Sequence, residues 1–327
     1  MMNILLSGGA GYIGSHAVRH LVELGHRVVV IDNLSKGHRA SVHSEAVFKL
    51  GDINDSSLIK NIVKEYSIEG VISFAASTEV AESVAHPEKY YANNFSATLS
   101  FLKTLIDNGV CKFVFSSTAS VYAGSNLEPI TESQPTAPRN PYGQSKRMIE
   151  AVLADFAVAY GLGYTVLRYF NVAGAHPDAT IGEDHRPESH LIPSVLLAVQ
   201  QKKIIFPVYG SDYPTPDGSC VRDYIHVQDV VRAHSLALEK IKPGVGNIYN
   251  LGSDRGFSVL EVIKACQKIT GLELKIENHL RRPGDPAILI ASSEKISREL
   301  GWRPEYPEIG QMIEHAWRWH QAHPHGY

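Results

Sequence analysis

The segment ILLSGGAGYIGSH, residues 4–16, does most to restrict what this chain of 327 residues can become. An apolar run stops at a cluster of glycines, and an amphipathic stretch starts directly after it. Gly9-x-Gly11-x-x-Gly14, and the wider spacing Gly8-x-x-Gly11-x-x-Gly14, suit a tight turn whose backbone N–H groups approach a pyrophosphate at a helix N-terminus. Asp32 closes the next apolar run, about 20 residues further on, where a carboxylate can hydrogen-bond an adenosine ribose diol. A 2′-phosphate would be repelled there, so NAD is expected over NADP, unless Arg39 folds back over the ribose. Asp52 closes the third apolar run, where it either reaches the adenine amino group or caps the following helix.

The rest of the first half keeps the same rhythm. Runs at 3–7, 27–32, 46–50, 70–76, 112–117 and 164–170 are rich in Val, Ile and Phe and mostly lack strict alternation, as strands buried on both faces do. Helical patterns at 12–25, 55–66, 94–108 and 142–161 lie between them. This alternation predicts an α/β fold with a doubly wound parallel sheet of the Rossmann type. After residue 171 the composition shifts toward Pro, Gly and charge, and helices are expected to be sparser. We therefore expect a dinucleotide-binding domain over 1–171 and a smaller mixed α/β substrate domain over 172–327, with some segments crossing back.

Composition excludes several classes. A net charge of −3 offers no bulk attraction to nucleic acid or an anionic membrane. Three cysteines without CxxC spacing read as reduced thiols rather than a disulfide frame or a zinc site. The first residues, MMNILLSGGAG, lack a basic leader, and no apolar stretch nears the ~20 residues of a membrane span. A cytoplasmic protein is expected. The closing HAWRWHQAHPHGY holds four histidines and reads as a solvated amphipathic helix end; GEDHRPESH (182–190) also mixes carboxylates with imidazoles. No metal site is expected at either place.

NPYGQSK, residues 140–146, places Tyr142 and Lys146 one turn apart on a helix face. With 15 Tyr in the chain, about one Tyr-x-x-x-Lys pair is expected by chance, so its meaning depends on its surroundings. A phenol of pKa about 10 is a poor base near neutrality. One cation at ~6 Å in an effective dielectric near 20 would lower it by roughly two units. Lys146 is one such cation and an oxidised nicotinamide ring a second. The preceding run ends in FSSTASVY, so Thr118 and Ser120 bring hydroxyls toward the same place. Strand, hydroxyl loop and Tyr-x-x-x-Lys helix together describe an acid–base centre beside a nicotinamide.

These stretches, with DNL (32–34), GDI (51–53), YYANN (90–94), LRYFNVAGAHP (167–177) and RDYIHVQD (222–229), resemble the extended short-chain dehydrogenases/reductases across essentially the whole chain. SDYPTPDGSCVRDYIHV, IYNLG and RRPGDPA are similar to the UDP-hexose 4-epimerase subgroup of that family. The resemblance implies reversible 4-epimerisation of UDP-glucose and UDP-galactose on tightly bound NAD, in a homodimer whose helices 94–108 and 142–161 pair across an axis. It implies that Tyr142 takes the proton of the sugar 4-hydroxyl, that Lys146 holds the nicotinamide ribose, and that Thr118 hydrogen-bonds the 4-oxygen. After hydride removal the 4-keto sugar would swing about its phosphate linkage and be reduced on its other face. Cofactor contacts are implied for Gly8, Gly11, Tyr12, Ile13, Gly14, Asp32, Asn33, Asp52, Ile53, Phe74, Asn94 and Tyr169. For the UDP-sugar they are Ser120, Asn171, His190, Leu191, Tyr209, Arg222, Arg282, Asp285 and Leu289. Arg222 and Arg282 suit a bidentate grip on a diphosphate and Asp285 a ribose diol.

Four positions depart from the family pattern. Thr118 stands where a serine is common, Thr78 replaces a lysine that can reach the cofactor, and His190 replaces an asparagine. Leu289 occupies a place where a tyrosine narrows the sugar pocket and smaller residues admit N-acetylated sugars, so partial acceptance of UDP-N-acetylglucosamine is expected. A 4,6-dehydratase would carry Asp-Glu after the hydroxyl residue, whereas Ala119 and Ser120 follow Thr118. An epimerase of UDP-glucuronate or UDP-pentoses remains an alternative, as does an NAD-sensing protein without catalysis.

Overall fold

In a computed structural model, described for residues 1–122, 129–201, 205–282 and 285–327, seven strands form one parallel sheet. From one edge they run Gly246–Leu251, Gly163–Tyr169, Lys112–Thr118, Gly70–Ser73, Asn3–Ser7, Arg27–Asp32 and Val47–Leu50. Six of these are the predicted runs, trimmed by a few residues where the chain turns away from the sheet. Their centres are sealed on both faces: Ile4, Leu5, Leu6, Val29, Val30, Val71 and Val114 have no solvent exposure. That explains why these strands show continuous apolar runs instead of alternation.

One face carries helices Tyr12–Glu23 and Val227–Lys240, the other Ser56–Tyr66, Thr98–Asp107 and Pro141–Tyr160. The strand order reverses between Asn3–Ser7 and Gly70–Ser73, which opens a crevice at the carboxyl ends of both. The seventh strand and the helix Val227–Lys240 come from the second half of the chain, so the crossing back is extensive.

The remaining chain builds a second core around helices Leu191–Gln200, Val259–Thr270 and Ile309–Ala322. It includes short strands Asn171–Ala173, Val221–His226, Gly256–Ser258 and Ile288–Leu289 in one sheet, and Ile205–Tyr209 beside Lys275–His279 in another. The helices here are not sparse, contrary to expectation; Pro and Gly mark the loops between them. The C-terminal helix is not a solvated end either. Trp319 is 1% exposed and His320 4%, and the Tyr327 hydroxyl accepts from the Gly182 amide at 2.9 Å. The tryptophan and histidine lie on the helix's inner face, and burying an indole outweighs hydrating the tail.

Candidate active site

At the crevice, the turn after the first strand depends on two glycines. Gly8 has φ +76°, and a Cβ there would lie 2.5 Å from the Ala75 amide nitrogen. A Cβ on Gly14 would lie 2.0 Å from the Gly8 carbonyl oxygen. Only glycine lets the turn, the neighbouring strand and the helix close up in this way. Gly11 begins helix Tyr12–Glu23 without a side-chain cap, so its first-turn N–H groups are left for an anion at the crevice. Asp32 receives the Ala10 amide on Oδ2 at 3.0 Å and the Leu34 amide on Oδ1 at 2.8 Å, which pins the end of the second strand to the glycine turn. Arg39 lies over the Phe48 ring at 4.6 Å and does not border the crevice, so nothing basic from Arg39 faces the ribose position. These features fit a dinucleotide with an unmodified adenosine ribose.

Asp52 accepts from Asn33 Nδ2 at 2.9 Å and from the Asn54 amide, also at 2.9 Å. The helix cap is Asp55, whose carboxylate receives the Leu58 amide. Of the two readings of Asp52, capping is therefore excluded. Asn94 sits in a π-helical turn, Tyr91–Ala97, and is 1% exposed. It accepts from the Ser77 amide at 2.8 Å and donates to the Ser77 carbonyl at 2.9 Å and Ser145 Oγ at 3.2 Å. It thus stands behind the crevice wall and holds Ser77 in place.

The helix carrying Tyr142 starts where its local sequence dictates. Asn140 accepts from the Gly143 amide at 2.8 Å, and Pro141 occupies the first turn, where its missing N–H costs nothing. Gly143 is required because a Cβ there would meet the Ser120 carbonyl oxygen at 2.2 Å. The contact locks the hydroxyl loop onto the helix. The Thr118 hydroxyl lies beside the Tyr142 phenol in the same cleft, and Thr118 Oγ1 accepts the Ser120 amide at 3.1 Å. Lys146 is 3% exposed, donates to the Ser116 carbonyl at 2.8 Å and lies 4.8 Å from the Phe115 ring centre.

The electrostatics differ from the sequence expectation. Burial raises the Tyr142 phenol above its ordinary value, and the neighbouring Thr118 hydroxyl only partly offsets it. Burial also lowers Lys146 to about 7, with Glu150 opposing. The chain alone holds a protonated phenol near neutrality, because desolvation raises the phenol and lowers the lysine together. Lowering the phenol pKa needs a further positive charge in the crevice.

Around this centre lies a cleft of about 480 Å³. Its walls include Gly8, Gly11, Tyr12, Ile13, Gly14, Asp32, Asn33, Asp52, Ile53, Phe74, Thr78, Thr118, Tyr142, Lys146, Tyr169, Asn171 and His190, all singled out in the sequence. Burial pushes the Tyr169 phenol up. Ser120, Leu191, Tyr209, Arg222, Arg282, Asp285 and Leu289 are not in those walls. Several of them meet nearby: Arg282 lies over the Tyr209 ring at 4.2 Å, and Arg222 donates to the Pro286 carbonyl at 2.8 Å with Nη2 3.8 Å from Asp285 Oδ1. Pro283 and Gly284 of RRPGDPA lie outside the described residues. Leu289 pairs in register with Arg222 and packs on a small core with Ala119, Phe170 and Ala291, so it lies close to the hydroxyl loop. Leu191 begins a helix and packs into the second core.

Sequence reasoning missed the cleft mouth. Lys36 pairs with Glu79 at 2.9 Å, joining segments 43 residues apart that no spacing rule connects, and Lys89 pairs with Glu82 at 2.6 Å across the turn between two short helices. It also missed Glu183 and His185 in the cleft wall, although GEDHRPESH was the available signal.

A switch-point cleft with a phosphate turn and a buried Tyr–Lys–Thr centre defines a Rossmann-type, nicotinamide-dependent enzyme acting on an alcohol. More narrowly, residues 4–252 match the NAD dependent epimerase/dehydratase family, and the chain belongs to it. It is 52% identical to a UDP-glucose 4-epimerase of Halalkalibacterium halodurans over 100% of this chain and 98% of that protein. A crystal structure of a UDP-glucose 4-epimerase superposes with TM-score 0.96 at 46% identity, covering 99% of each chain. The Bifidobacterium longum UDP-glucose 4-epimerase, solved in complex with NAD+ and UDP, superposes with TM-score 0.94 at 38% identity, covering 99% of this chain and 100% of that one.

Proposed function

We propose that this protein interconverts UDP-glucose and UDP-galactose by transient oxidation at C4 of the sugar. The observation that carries the reading is the convergence of Tyr142, Thr118 and Lys146 in the switch-point cleft of an epimerase-family chain. NAD, held by the Gly8–Gly14 turn, Asp32 and Asn33, supplies a reversible hydride acceptor when bound. Tyr142 accepts the proton of the 4-hydroxyl and returns it. Thr118 orients the 4-oxygen, and Lys146 stabilises the deprotonated phenol once the crevice is filled. Arg222 and Arg282 anchor the diphosphate and Asp285 the uridine ribose, while Asn171 and His190 border the space in which the keto sugar turns over.

The chain is read as a 1–171 cofactor unit and a 172–327 substrate unit, with the 225–251 segment returned to the first. It is also read as a cytoplasmic homodimer through helices Tyr91–Asp107 and Pro141–Tyr160. The exposed Val158 (91%) and Tyr160 (48%) on the second of these supply apolar surface for that contact. A solution mass of one chain, 36.0 kDa, would remove the dimer.

Purified protein given UDP-galactose and no added cofactor is expected to form UDP-glucose until the two equilibrate; no conversion even with added NAD would refute the function. In the same assay UDP-N-acetylgalactosamine is expected to turn over more slowly. Leu289 packs close to the hydroxyl loop, so the added bulk of Leu289→Tyr should cut N-acetyl turnover by roughly 10-fold or more, in the range a pocket clash produces, while sparing the hexose. Equal loss on both sugars would show that Leu289 does not border the sugar 2-substituent.

A further inference from the structure

The segment Glu183–His190 was expected to hold no metal, but folding converges four donor side chains from it. Glu183, His185, Glu188 and His190 each offer one ligand atom, all within 4.8 Å of one another. His190 Nδ1 is 2.8 Å from Glu183 Oε1 and 3.1 Å from Glu188 Oε1. His185 Nδ1 is 3.1 Å from Glu183 Oε1 and 3.7 Å from Glu188 Oε2. Ligand atoms bound tetrahedrally at ~2.0–2.1 Å stand about 3.3 Å apart, so the imidazole–carboxylate pairs already stand near that spacing, and any wider pair, still within 4.8 Å, would draw in on the ion. We propose that Glu183, His185, Glu188 and His190 form a structural site for one zinc ion.

Three further observations bear on it. His185 Nδ1 is shut away from solvent, yet it makes no correctly directed hydrogen bond although two carboxylates lie beside it. A ring nitrogen that faces between two carboxylates, rather than at one oxygen, is aimed at the place a common ion would take. The carboxylates are 5% and 6% exposed and hold both imidazoles protonated when no ion is bound, so a divalent cation entering the site would displace two protons with little change in buried charge. Imidazole donors select zinc over magnesium or calcium. Finally, Glu188 Oε1 accepts the Ser189 and His190 amides, both at 2.7 Å, which fixes the carboxylate's orientation as outer contacts of a metal ligand do. A cavity of about 370 Å³ bordered by Glu183, His185, Glu188, His320 and His323 gives an entry path from the side away from the cleft. Zinc would fasten the loop that carries His190 into the cleft wall, without touching the reacting atoms.

The test uses the full chain, stripped with a chelator and dialysed at about pH 8, where zinc uptake is expected to release protons from the carboxylate-paired imidazoles. Zinc is expected to rebind at one equivalent, and Co2+ to give the intense visible bands of a tetrahedral site. Zinc should also raise the melting temperature of the wild-type chain. Glu188→Gln is expected to lose the stoichiometric zinc, the Co2+ bands and the zinc-dependent shift, with its circular dichroism and NAD content reporting that it is folded. Binding that is lost in His323→Ala/His325→Ala but kept in Glu188→Gln would place the ion on the C-terminal tail and overturn the proposal. So would a wild-type chain that retains less than about a tenth of an equivalent under these conditions.

Discussion

Tyr142→Phe is expected to slow the conversion of UDP-galactose by about 10²–10⁴-fold, the usual contribution of a positioned acid–base group. Tyr142 is 8% exposed, and phenylalanine fills the same space while losing only the hydroxyl beside Thr118, which keeps the Ser120 amide. The variant should therefore fold and retain NAD. Measured together, UDP-sugar turnover and bound NAD separate loss of proton transfer from loss of the cofactor site. Turnover within about tenfold of the wild type would exclude Tyr142 as the base. Thr118→Val should have a smaller effect than Tyr142→Phe, because it removes the hydroxyl that orients the reacting oxygen and leaves the proton acceptor in place.

The second large effect concerns stability. Glu150, one turn beyond Lys146, is clasped by Arg168 through Nε at 3.0 Å and Nη2 at 2.6 Å, and receives Ser117 Oγ at 2.6 Å. Arg168 also donates to the Tyr122 hydroxyl at 2.9 Å, which in turn donates to Asn250 at 2.7 Å. The two charged side chains are 4% and 1% exposed. Arg168→Met is expected to cost about 3–5 kcal/mol, because it leaves a buried carboxylate without its partner. Arg168→Met/Glu150→Leu should recover most of that loss, since the desolvation penalty disappears together with the attraction. Denaturant unfolding of both variants tests this. If the double variant is as unstable as the single one, the pair is not what holds the helix to the sheet.

The central sheet was legible because its strands are buried on both faces. Burial forces continuous Val, Ile and Phe runs, and the turns between them need glycine at positions such as Gly8 and Gly14, where a Cβ has no room. The Tyr142 helix was legible for a similar reason: Asn140, Pro141 and Gly143 are each required by a local contact. The seventh strand, Gly246–Leu251, is not among the runs that read as strands. Its partner, Gly163–Tyr169, lies some 80 residues earlier. The substrate candidates divided likewise. Asn171 and His190 line the cleft, whereas Tyr209, Arg222, Arg282 and Asp285 form a separate group beside it.

By itself the sequence determined the phosphate turn, the acidic end of the second strand and the acid–base helix. All three are local: a dihedral, a spacing or a cap fixes each within a few residues. Only the tertiary structure decided how those groups are charged and what surrounds them. It buried Tyr142 and Lys146 so deeply that desolvation, rather than their mutual field, governs both. It excluded Asp52 as a helix cap and moved Asn94 behind the wall. It also turned the loop around His190 into a converging set of four donors. Burial and convergence depend on which distant segments close over a residue, and no local pattern in a chain records that.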